Sequence, residues 1–289
     1  VLLITLALGV TIGSVMTPVG NPQNLLIALS SGISNPMLDF LHYLVLPTLA
    51  GLGLTYLILR FYFRKDLAAA TTTAPDIPLP KIRDLKLAQL TFWVALVVVA
   101  GFFLTAFAQL FGFQGNLNLG TVSLFGATII FLFSARRREI LKSVDWSIIV
   151  FFISLFIVVQ GFWESNALQS LMVYMPGLNP SNLLVSLGVI IVASLVFSQF
   201  LSNVPFVAVY LKAMLASGFT GSDVKAWMAL AGASTLAGGL TLLGAASNVI
   251  ILETAEQHGS GFGSWEFSKI GLLVTIPNIL ILYLFLRVL

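Results

Sequence analysis

Long apolar stretches alternate with short polar segments along the chain. A helix needs about 20 mostly apolar residues to cross the hydrocarbon layer of a membrane. The uninterrupted apolar stretches are 40–63, 87–110, 119–133, 146–163 and 265–289. The pattern therefore predicts an all-α polytopic protein whose helices cross a membrane several times.

Other apolar stretches are interrupted by Gly, Pro, Ser, Thr and Asn. These stretches, each with its interruption, are Val1–Ser30 at 13–22, Asn182–Ala216 at Ser202–Pro205, and Val224–Gln257 at 238–248. A broken backbone at membrane depth costs several kcal/mol per unsatisfied group unless protein, water or ligand satisfies it. We therefore predict broken helices in the first and last stretches. In the middle one we predict a re-entrant hairpin, because the arm after Pro205 is too short to cross a bilayer.

Two of the interruptions resemble each other. Thr17–Asn24 and Thr241–Asn248 both read T-x-x-G-x-x-x-N, and an apolar half-helix and one more span follow each copy. Counting the crossings gives the two copies opposite directions, which predicts an inverted repeat, an architecture of many secondary transporters. The same alignment puts the partners of 87–223 before Val1, so we expect a further N-terminal segment with a first hairpin.

Basic residues predict the orientation and the division of the chain. Lys and Arg cluster at 64–86 and 136–142, whereas the loops 31–38 and 111–118 have none. The positive-inside rule places the basic loops in the cytoplasm. The predicted parts are the end of a first repeat (1–63), a cytoplasmic linker (64–86) and a second repeat (87–289). The second repeat contains scaffold spans, the hairpin 182–217, the broken helix 224–257 and the last span 265–289.

Composition excludes several classes of protein. Charged residues make up 9% of the 289 residues and hydrophobic ones 58%, whereas a soluble domain carries about 25% charged residues. We therefore expect neither a soluble enzyme nor a nucleic-acid partner. We expect the protein to be surrounded by membrane lipid, in the cell (inner) membrane. The chain has no cysteine and only His42 and His258 as histidines, which leaves zinc without ligands. The tryptophans interpreted as an interfacial belt are Trp146, Trp163, Trp227 and Trp265.

The polar residues of the interruptions are the candidate binding groups. Asn, Ser and Thr offer donors and acceptors without the cost of a buried charge. Half-helix N-termini suit an anion, and unwound carbonyls suit a cation. The candidates are Thr17, Gly20, Asn21, Asn24, Ser202, Asn203, Thr241, Gly244, Ser247 and Asn248. Of these, Ser202, Asn203 and Asn248 could also hold sodium; we expect no cofactor beyond a coupling ion, H⁺ or Na⁺.

At these residues the sequence resembles the ion transporter superfamily, in particular its branch of citrate-transporter-like proteins, arsenical pumps and silicon efflux proteins. The segments that carry the resemblance are Gly13–Asn24, Val144–Gly161, Ser198–Pro205 and Gly238–Glu253. They stand in the family's order and spacing, and GNPQN at 20–24 is most similar to the silicon and arsenite efflux proteins. The resemblance implies a homodimer in which scaffold helices hold a transport domain that moves as an elevator.

The resemblance also implies where the binding residues belong. In the family, two hairpin tips and two broken helices surround the substrate and the coupling ion. One half-site would comprise Ser202, Asn203, Thr241, Gly244, Ser247 and Asn248. The other would comprise Thr17, Gly20, Asn21 and Asn24.

These observations predict a secondary active transporter of a small anion or oxyacid, of the arsenite or silicate efflux type and coupled to protons. Alternatives are a citrate or dicarboxylate transporter and a sodium–proton antiporter. Val204 stands where sodium–dicarboxylate relatives carry Thr, and Ser202 where antiporter relatives carry Asp. Few positive residues lie near the breaks, which favours a weakly charged or neutral substrate. A channel would need a filter ring and an enzyme a nucleophile–base pair, and the sequence has neither pattern.

Overall fold

The computed structural model describes residues 1–69, 82, 84–111, 119–166 and 178–289. The regular elements in these ranges are helices. They are α1 (Leu2–Gly13), α2 (Pro22–Ser30), α3 (Pro36–Tyr62), α4 (Arg64–Ala69), α5 (Leu85–Leu110), α6 (Leu119–Phe133), α7 (Arg137–Ser143), α8 (Trp146–Glu164), α9 (Leu183–Leu201), α10 (Asn203–Ala216), α11 (Val224–Ala237), α12 (Ala246–Gln257) and α13 (Ser264–Val288). The prediction of an all-α fold is confirmed.

Among the described residues, 5 helices are long and apolar enough to cross a membrane: α3, α5, α8, α9 and α13. The prediction of a multi-pass integral membrane protein is therefore confirmed. The span predicted at 119–133 is a helix of 15 residues, α6, which is shorter than these five. At a rise of about 1.5 Å per residue, its described residues cover roughly 22 Å of a hydrocarbon core of about 30 Å. The first arm of the predicted hairpin, α9, has 19 residues and is one of the five helices long enough to cross a membrane.

The chain divides into two compact units, Val1–Ala70 with Leu155–Leu289 and Thr71–Ser154. In the smaller unit α5 packs against α6, and the carboxylate of Asp84 accepts a hydrogen bond from the Leu87 N–H at 3.0 Å, which caps α5. The predicted linker 64–86 is helical at Arg64–Ala69. Residues 70–81 and 83 of this linker, and 112–118 of the predicted external loop, lie outside the described residues.

Helix α11 lies at the centre of the larger unit. All of its residues from Ala226 to Ala237 are buried, and most of them are Ala, Gly, Ser or Thr. Small side chains let neighbouring helices approach closely, and α11 contacts α1, α2, α3, α9, α10 and α13. Trp227 is fully buried, and its Nε1 donates to the Thr220 carbonyl at 2.8 Å. Its predicted place in an interfacial belt was wrong, because the indole N–H finds its partner inside the protein.

Helices α3 and α13 both contact α11 in the larger unit. Each carries an internal proline, Pro47 and Pro277, and the two helices pack against each other. Asn278 Nδ2 donates to Thr55 Oγ1 at 3.0 Å. Helix α13 also approaches the chain after α11, since a Cβ added to Gly271 would lie 2.1 Å from the Gly239 carbonyl oxygen.

Candidate functional site

The first helix break follows α1. A 3₁₀ turn at Ser14–Met16 follows directly, and Thr17 is extended with φ −136° and ψ 150°. Asn21 is extended as well, with φ −156° and ψ 164°, and α2 begins at Pro22. The chain therefore leaves the helical path at 14 and resumes it at 22.

The second break follows α11 and has similar backbone angles. Thr241, which corresponds to Thr17, has φ −133° and ψ 159°. A 3₁₀ turn spans Leu242–Gly244, and Ala245, which corresponds to Asn21, has φ −137° and ψ 138°. Thr17 and Thr241, and likewise Asn21 and Ala245, are thus extended at matched positions of the T-x-x-G-x-x-x-N pattern, whereas the 3₁₀ turn precedes the first threonine and follows the second.

Asn24 satisfies backbone groups that the first break frees. Its Nδ2 donates to the carbonyl oxygens of Ser14 at 3.1 Å, Val15 at 3.3 Å and Thr17 at 3.2 Å. The residue is fully buried, and buried backbone carbonyls need such partners. The amide nitrogen of this predicted binding residue is therefore occupied in holding the break.

Asn248 does the same in the second break. Its Nδ2 donates to the carbonyl oxygens of Gly238 at 2.8 Å and Thr241 at 3.3 Å. Gly238 and Thr241 correspond to Ser14 and Thr17. Asn248 is also fully buried, so the two asparagines hold the two breaks by corresponding hydrogen bonds.

Glycine at position 20 is required by space. An added Cβ would lie 2.1 Å from the Ser14 carbonyl oxygen. At Gly244 an added Cβ would lie 3.0 Å from the Gly238 carbonyl oxygen and 3.1 Å from Gln199 Oε1. The motif glycine is therefore indispensable in the first break and favoured in the second.

The hairpin tip lies against the second break. Ser202 joins α9 to α10 with φ 62° and ψ 162°, a region that side chains other than glycine rarely adopt and that costs about 1–3 kcal/mol. Asn203 follows and is 4% exposed. A Cβ added to Gly238 would lie 2.7 Å from Asn203 Nδ2, which shows how closely the tip approaches the break.

A cavity of about 230 Å³ lies between the hairpin tip and the two breaks. Its lining residues are Val10, Thr11, Ser14, Gly20, Asn21, Pro22, Gln23, Ser202, Asn203, Val204, Thr235, Ala245, Ala246 and Ser247. None of these side chains is charged. Of the predicted site residues, the lining includes Gly20, Asn21, Ser202, Asn203 and Ser247. The lining does not include Thr17, Asn24, Thr241, Gly244 or Asn248.

Polar groups on the side of the first break are paired. Asn21 Oδ1 accepts from the Asn24 N–H at 2.8 Å, and Asn21 Nδ2 donates to Thr235 Oγ1 at 3.1 Å. Thr235 Oγ1 donates to Asn24 Oδ1 at 3.2 Å, and Gln23 Nε2 donates to Thr235 Oγ1 at 3.4 Å. One hydroxyl on α11 thus connects three polar side chains of the first break.

Two polar atoms that match paired atoms of the first break have no hydrogen-bond partner among the described residues. Thr11 and Asn248 occupy the positions that match Thr235 and Asn24. Within the described part of the chain, Thr11 Oγ1, Asn248 Oδ1 and Asn203 Oδ1 are buried without a hydrogen-bond partner. A buried unpaired polar atom costs about 1–3 kcal/mol, so these atoms are groups that a ligand or a rearrangement would satisfy.

The start of α12 offers donors to the cavity. No side chain caps this helix, because Ala245 stands where the first break has Asn21. The first amides of a helix lack intrahelical acceptors, and both Ala246 and Ser247 line the cavity. At the start of α2, by contrast, Pro22 has no N–H and Asn21 caps the helix.

A family model described as citrate transporter matches residues 1–235. The chain belongs to the citrate transporter family. The resemblance to the citrate-transporter-like branch of the ion transporter superfamily is thereby confirmed.

The chain is similar to an uncharacterized transporter of Mycobacterium tuberculosis. It is 30% identical over 286 residues, which cover 96% of this chain and 65% of the relative. A silicon efflux transporter of Oryza sativa subsp. japonica is 28% identical over 306 residues, which cover 88% of this chain and 63% of the relative. A transporter called arsB of Dictyostelium discoideum is 33% identical over 179 residues, covering 60% and 31%. The chain thus spans 65% of the length of its mycobacterial relative.

Some polar residues of this citrate transporter family member are not among the residues predicted from the sequence. Thr11, Gln23 and Thr235 line the cavity, and Gln199 contacts the second break at Thr241. Gln199 stands in an apolar helical arm one turn before Ser202, which was the available signal. Thr11 and Thr235 match each other in the repeat alignment, but each lies outside the T-x-x-G-x-x-x-N segment.

The oxygens around the cavity are those of neutral groups. In the described ranges, no group of three or more His, Asp or Glu side chains could hold a metal ion. Amide, hydroxyl and unwound backbone oxygens suit an alkali cation or a hydroxyl donor. The predicted sodium ligands Ser202 and Asn203 line the cavity, whereas Asn248 lies behind its wall.

Proposed function

We propose that the full-length protein is a secondary active transporter of a small neutral oxyacid of the arsenite or silicate type. The observation that carries the proposal is the uncharged cavity lined by neutral donors and acceptors. An ionised tricarboxylate presents acceptors alone and normally requires Arg, Lys or a bound cation. Arsenous and silicic acids are uncharged near neutral pH, and their hydroxyl groups both donate and accept hydrogen bonds.

The free groups of the site complement such a substrate. Asn203 Oδ1 is an acceptor without a partner, which a substrate hydroxyl would satisfy. The uncapped amides of Ala246 and Ser247 are donors that suit a substrate oxygen. The silicon efflux and arsB relatives support the same substrate class.

The remaining parts of the proposal follow from the resemblance. The transporter works as a homodimer by an elevator movement in the cell membrane, and its coupling ion is the proton. Val204 at the hairpin tip favours protons over sodium, since sodium–dicarboxylate relatives carry Thr there. The cavity lining has no titratable side chain, so the coupling proton is carried outside it.

Citrate is the second candidate substrate, and the family description favours it. Its negative charge would need a cation beside it in this cavity. The neutral oxygens of Ser202, Asn203 and Asn248 are the groups that could hold sodium for that purpose.

Flux measurements on the full-length protein in liposomes test the proposal. The liposomes are loaded in turn with arsenite, silicate and citrate, under a pH gradient and then under a sodium gradient. We expect movement of arsenite or silicate with the pH gradient alone. Movement of citrate that requires sodium would overturn the proposal and favour the carboxylate branch.

An alanine substitution links this flux to the cavity. Asn203→Ala removes an acceptor that has no partner in the protein, so we expect the variant to remain folded in the membrane and to lose transport. Phe200→Leu, at a side chain that is 83% exposed, is the control on the same hairpin. Transport by Asn203→Ala at the wild-type rate would refute the assignment of the site.

A further inference from the structure

The two breaks differ in how their turns are held. In the first, the Asn21 side chain caps α2 and donates to Ser14 Oγ at 3.0 Å. The second break has Ala245 at this position, so its own segment supplies no such side chain. Within this segment Asn248 holds the turn, and further hydrogen bonds come from outside it.

Gln199 of the hairpin supplies them. Its Oε1 accepts from Thr241 Oγ1 at 2.9 Å, and its Nε2 donates to the Ala237 carbonyl at 2.9 Å. Thr241 is the extended residue of the break, and Ala237 is the last residue of α11. One side-chain amide therefore connects the end of the helix α11 to the extended residue of the break.

The same amide lies against the turn that leads to the cavity. A Cβ added to Gly244 would lie 3.1 Å from Gln199 Oε1. Gly244 directly precedes Ala245, and α12 begins at the next residue, Ala246, with its uncapped amides. The position of Gln199 thus determines the position of Thr241 and Gly244, and through them the start of α12.

The chemistry of these contacts favours a carboxamide. The Thr241 hydroxyl donates to this side chain, and the Ala237 carbonyl accepts from it as well as from the Leu240 N–H at 3.1 Å. A neutral carboxamide serves both side-chain contacts at once. A glutamate cannot donate and a lysine cannot accept. Only glutamine combines both with the length to reach from α9.

We propose that Gln199 is a positioning residue for the second half of the binding site: it holds the second break in the place of the missing cap. It aims the first amides of α12 at the substrate and ties the hairpin tip to the break, so that the two move together. The role rests on the proposed transport function for its assay, but it does not depend on which substrate is carried.

A double-mutant cycle on the full-length protein tests the role. The variants are Gln199→Met, Thr241→Val and the double variant, with Thr241→Ser, which keeps the hydroxyl, as the rescue. KM and Vmax are measured in liposomes for whichever of arsenite, silicate or citrate the wild type moves, and Vmax is normalised to folded protein. Phe200→Leu, at a neighbouring exposed side chain, is the control.

We expect Gln199→Met to raise KM about threefold to tenfold, as loss of hydrogen bonds that fix a binding group does. Vmax per folded molecule should stay within about twofold of the wild type, because the translocation machinery is intact. Thr241→Val should add less than about twofold to KM in the Gln199→Met background, since the two residues share one hydrogen bond. Thr241→Ser and Phe200→Leu should keep the wild-type KM.

A wild-type KM in folded Gln199→Met, or fully additive effects of the two single variants, would overturn the positioning role. A lower Vmax with unchanged KM would also overturn it, because that result indicates packing alone. If the wild type moves citrate only, the proposed substrate class falls, and the cycle measured on citrate still decides the role of Gln199.

Discussion

The first break is held by side chains of its own segment and by α11, whereas the second is held in part by the hairpin. Asn21 caps the first break and contacts Thr235, and Gln199 bridges the second. Both breaks have extended backbone at their matched positions, but the side chains that hold them differ. The same kind of helix break can therefore be held by its own segment in one place and depend on a neighbouring element in another.

The same contrast separates paired from free polar groups. Asn24 Oδ1 has the Thr235 hydroxyl as its partner, whereas Asn248 Oδ1 and Thr11 Oγ1 have none among the described residues. Buried polar atoms are normally paired. Of the unpaired ones in the described part of the chain, Thr11 Oγ1 and Asn203 Oδ1 belong to residues that line the cavity and Asn248 Oδ1 belongs to the second break, whereas Thr48 Oγ1 and Tyr210 OH belong to neither. We expect substitutions in the first break to act mainly on stability and those in the second mainly on transport.

The largest difference is expected between alanine substitutions of the two motif glycines. Gly20→Ala places a Cβ 2.1 Å from a backbone oxygen and should destabilise the protein by about 3 kcal/mol or more. Gly244→Ala meets its nearest atom at 3.0 Å and should cost about 1 kcal/mol. Thermal unfolding of the purified proteins in detergent compares them, and equal shifts in Tm would contradict the comparison.

The two motif asparagines should differ next. Asn24→Ala removes the hydrogen bonds of Asn24 Nδ2 to three backbone carbonyls and that of the Thr235 hydroxyl to Asn24 Oδ1, for a loss of about 2–4 kcal/mol. Asn248→Ala removes two hydrogen bonds to backbone carbonyls, of which that of Thr241 also accepts from the Gly244 N–H, for a loss of about 1–3 kcal/mol. Both variants should lose transport, and flux and Tm are measured on the same preparations. A more stable Asn24→Ala than Asn248→Ala would break the comparison.

The two matching threonines should differ in sign. Thr235→Val removes a hydroxyl with three side-chain partners and should cost about 1–2 kcal/mol. Thr11→Val removes a hydroxyl without a partner, so it should leave stability unchanged or raise it by up to about 1 kcal/mol. Chemical denaturation of both valine variants measures the difference, and a destabilised Thr11→Val would show that its hydroxyl is paired after all.

The smallest effect is expected at the hairpin tip. Ser202→Gly relieves the backbone at φ 62°, and the flexibility of glycine in the unfolded chain offsets part of that gain. We expect a net stabilisation of about 0.5–1 kcal/mol. Ser202→Ala loses the same hydroxyl but keeps the strained backbone, so it should not be stabilised. Identical Tm values for the two variants would refute the strain.

The breaks could be predicted from the sequence because their signals are local. Gly20, Pro22 and Asn24 stand within one short segment, and the second copy at Thr241–Asn248 repeats its pattern. Helical spans are equally visible, because an apolar stretch of sufficient length needs no partner to be recognised. The bounds of α6, Leu119–Phe133, are those of the predicted stretch 119–133.

Contacts between distant segments could not be predicted in the same way. Thr235 lies 211 positions from Asn24, and nothing in the local sequence of either residue points to the other. Gln199 reads as an isolated polar residue in an apolar arm until the fold brings α11 beside it. Trp227 was assigned to the membrane interface because its residue type is common there, whereas its partner at Thr220 becomes visible only in the folded chain.

The burial of α11 has a consequence for hydrogen exchange. Its residues from Ala226 to Ala237 are buried among other helices, with Thr235 at the cavity, so most of its amides should exchange only when the unit opens. Its amide protons should be among the last to exchange with deuterium. The uncapped first turn of α12 begins only a few residues later, at Ala246, and its amides should exchange early. The slowly exchanging amides of α11 and the quickly exchanging amides at the start of α12 should therefore lie within one short stretch of chain.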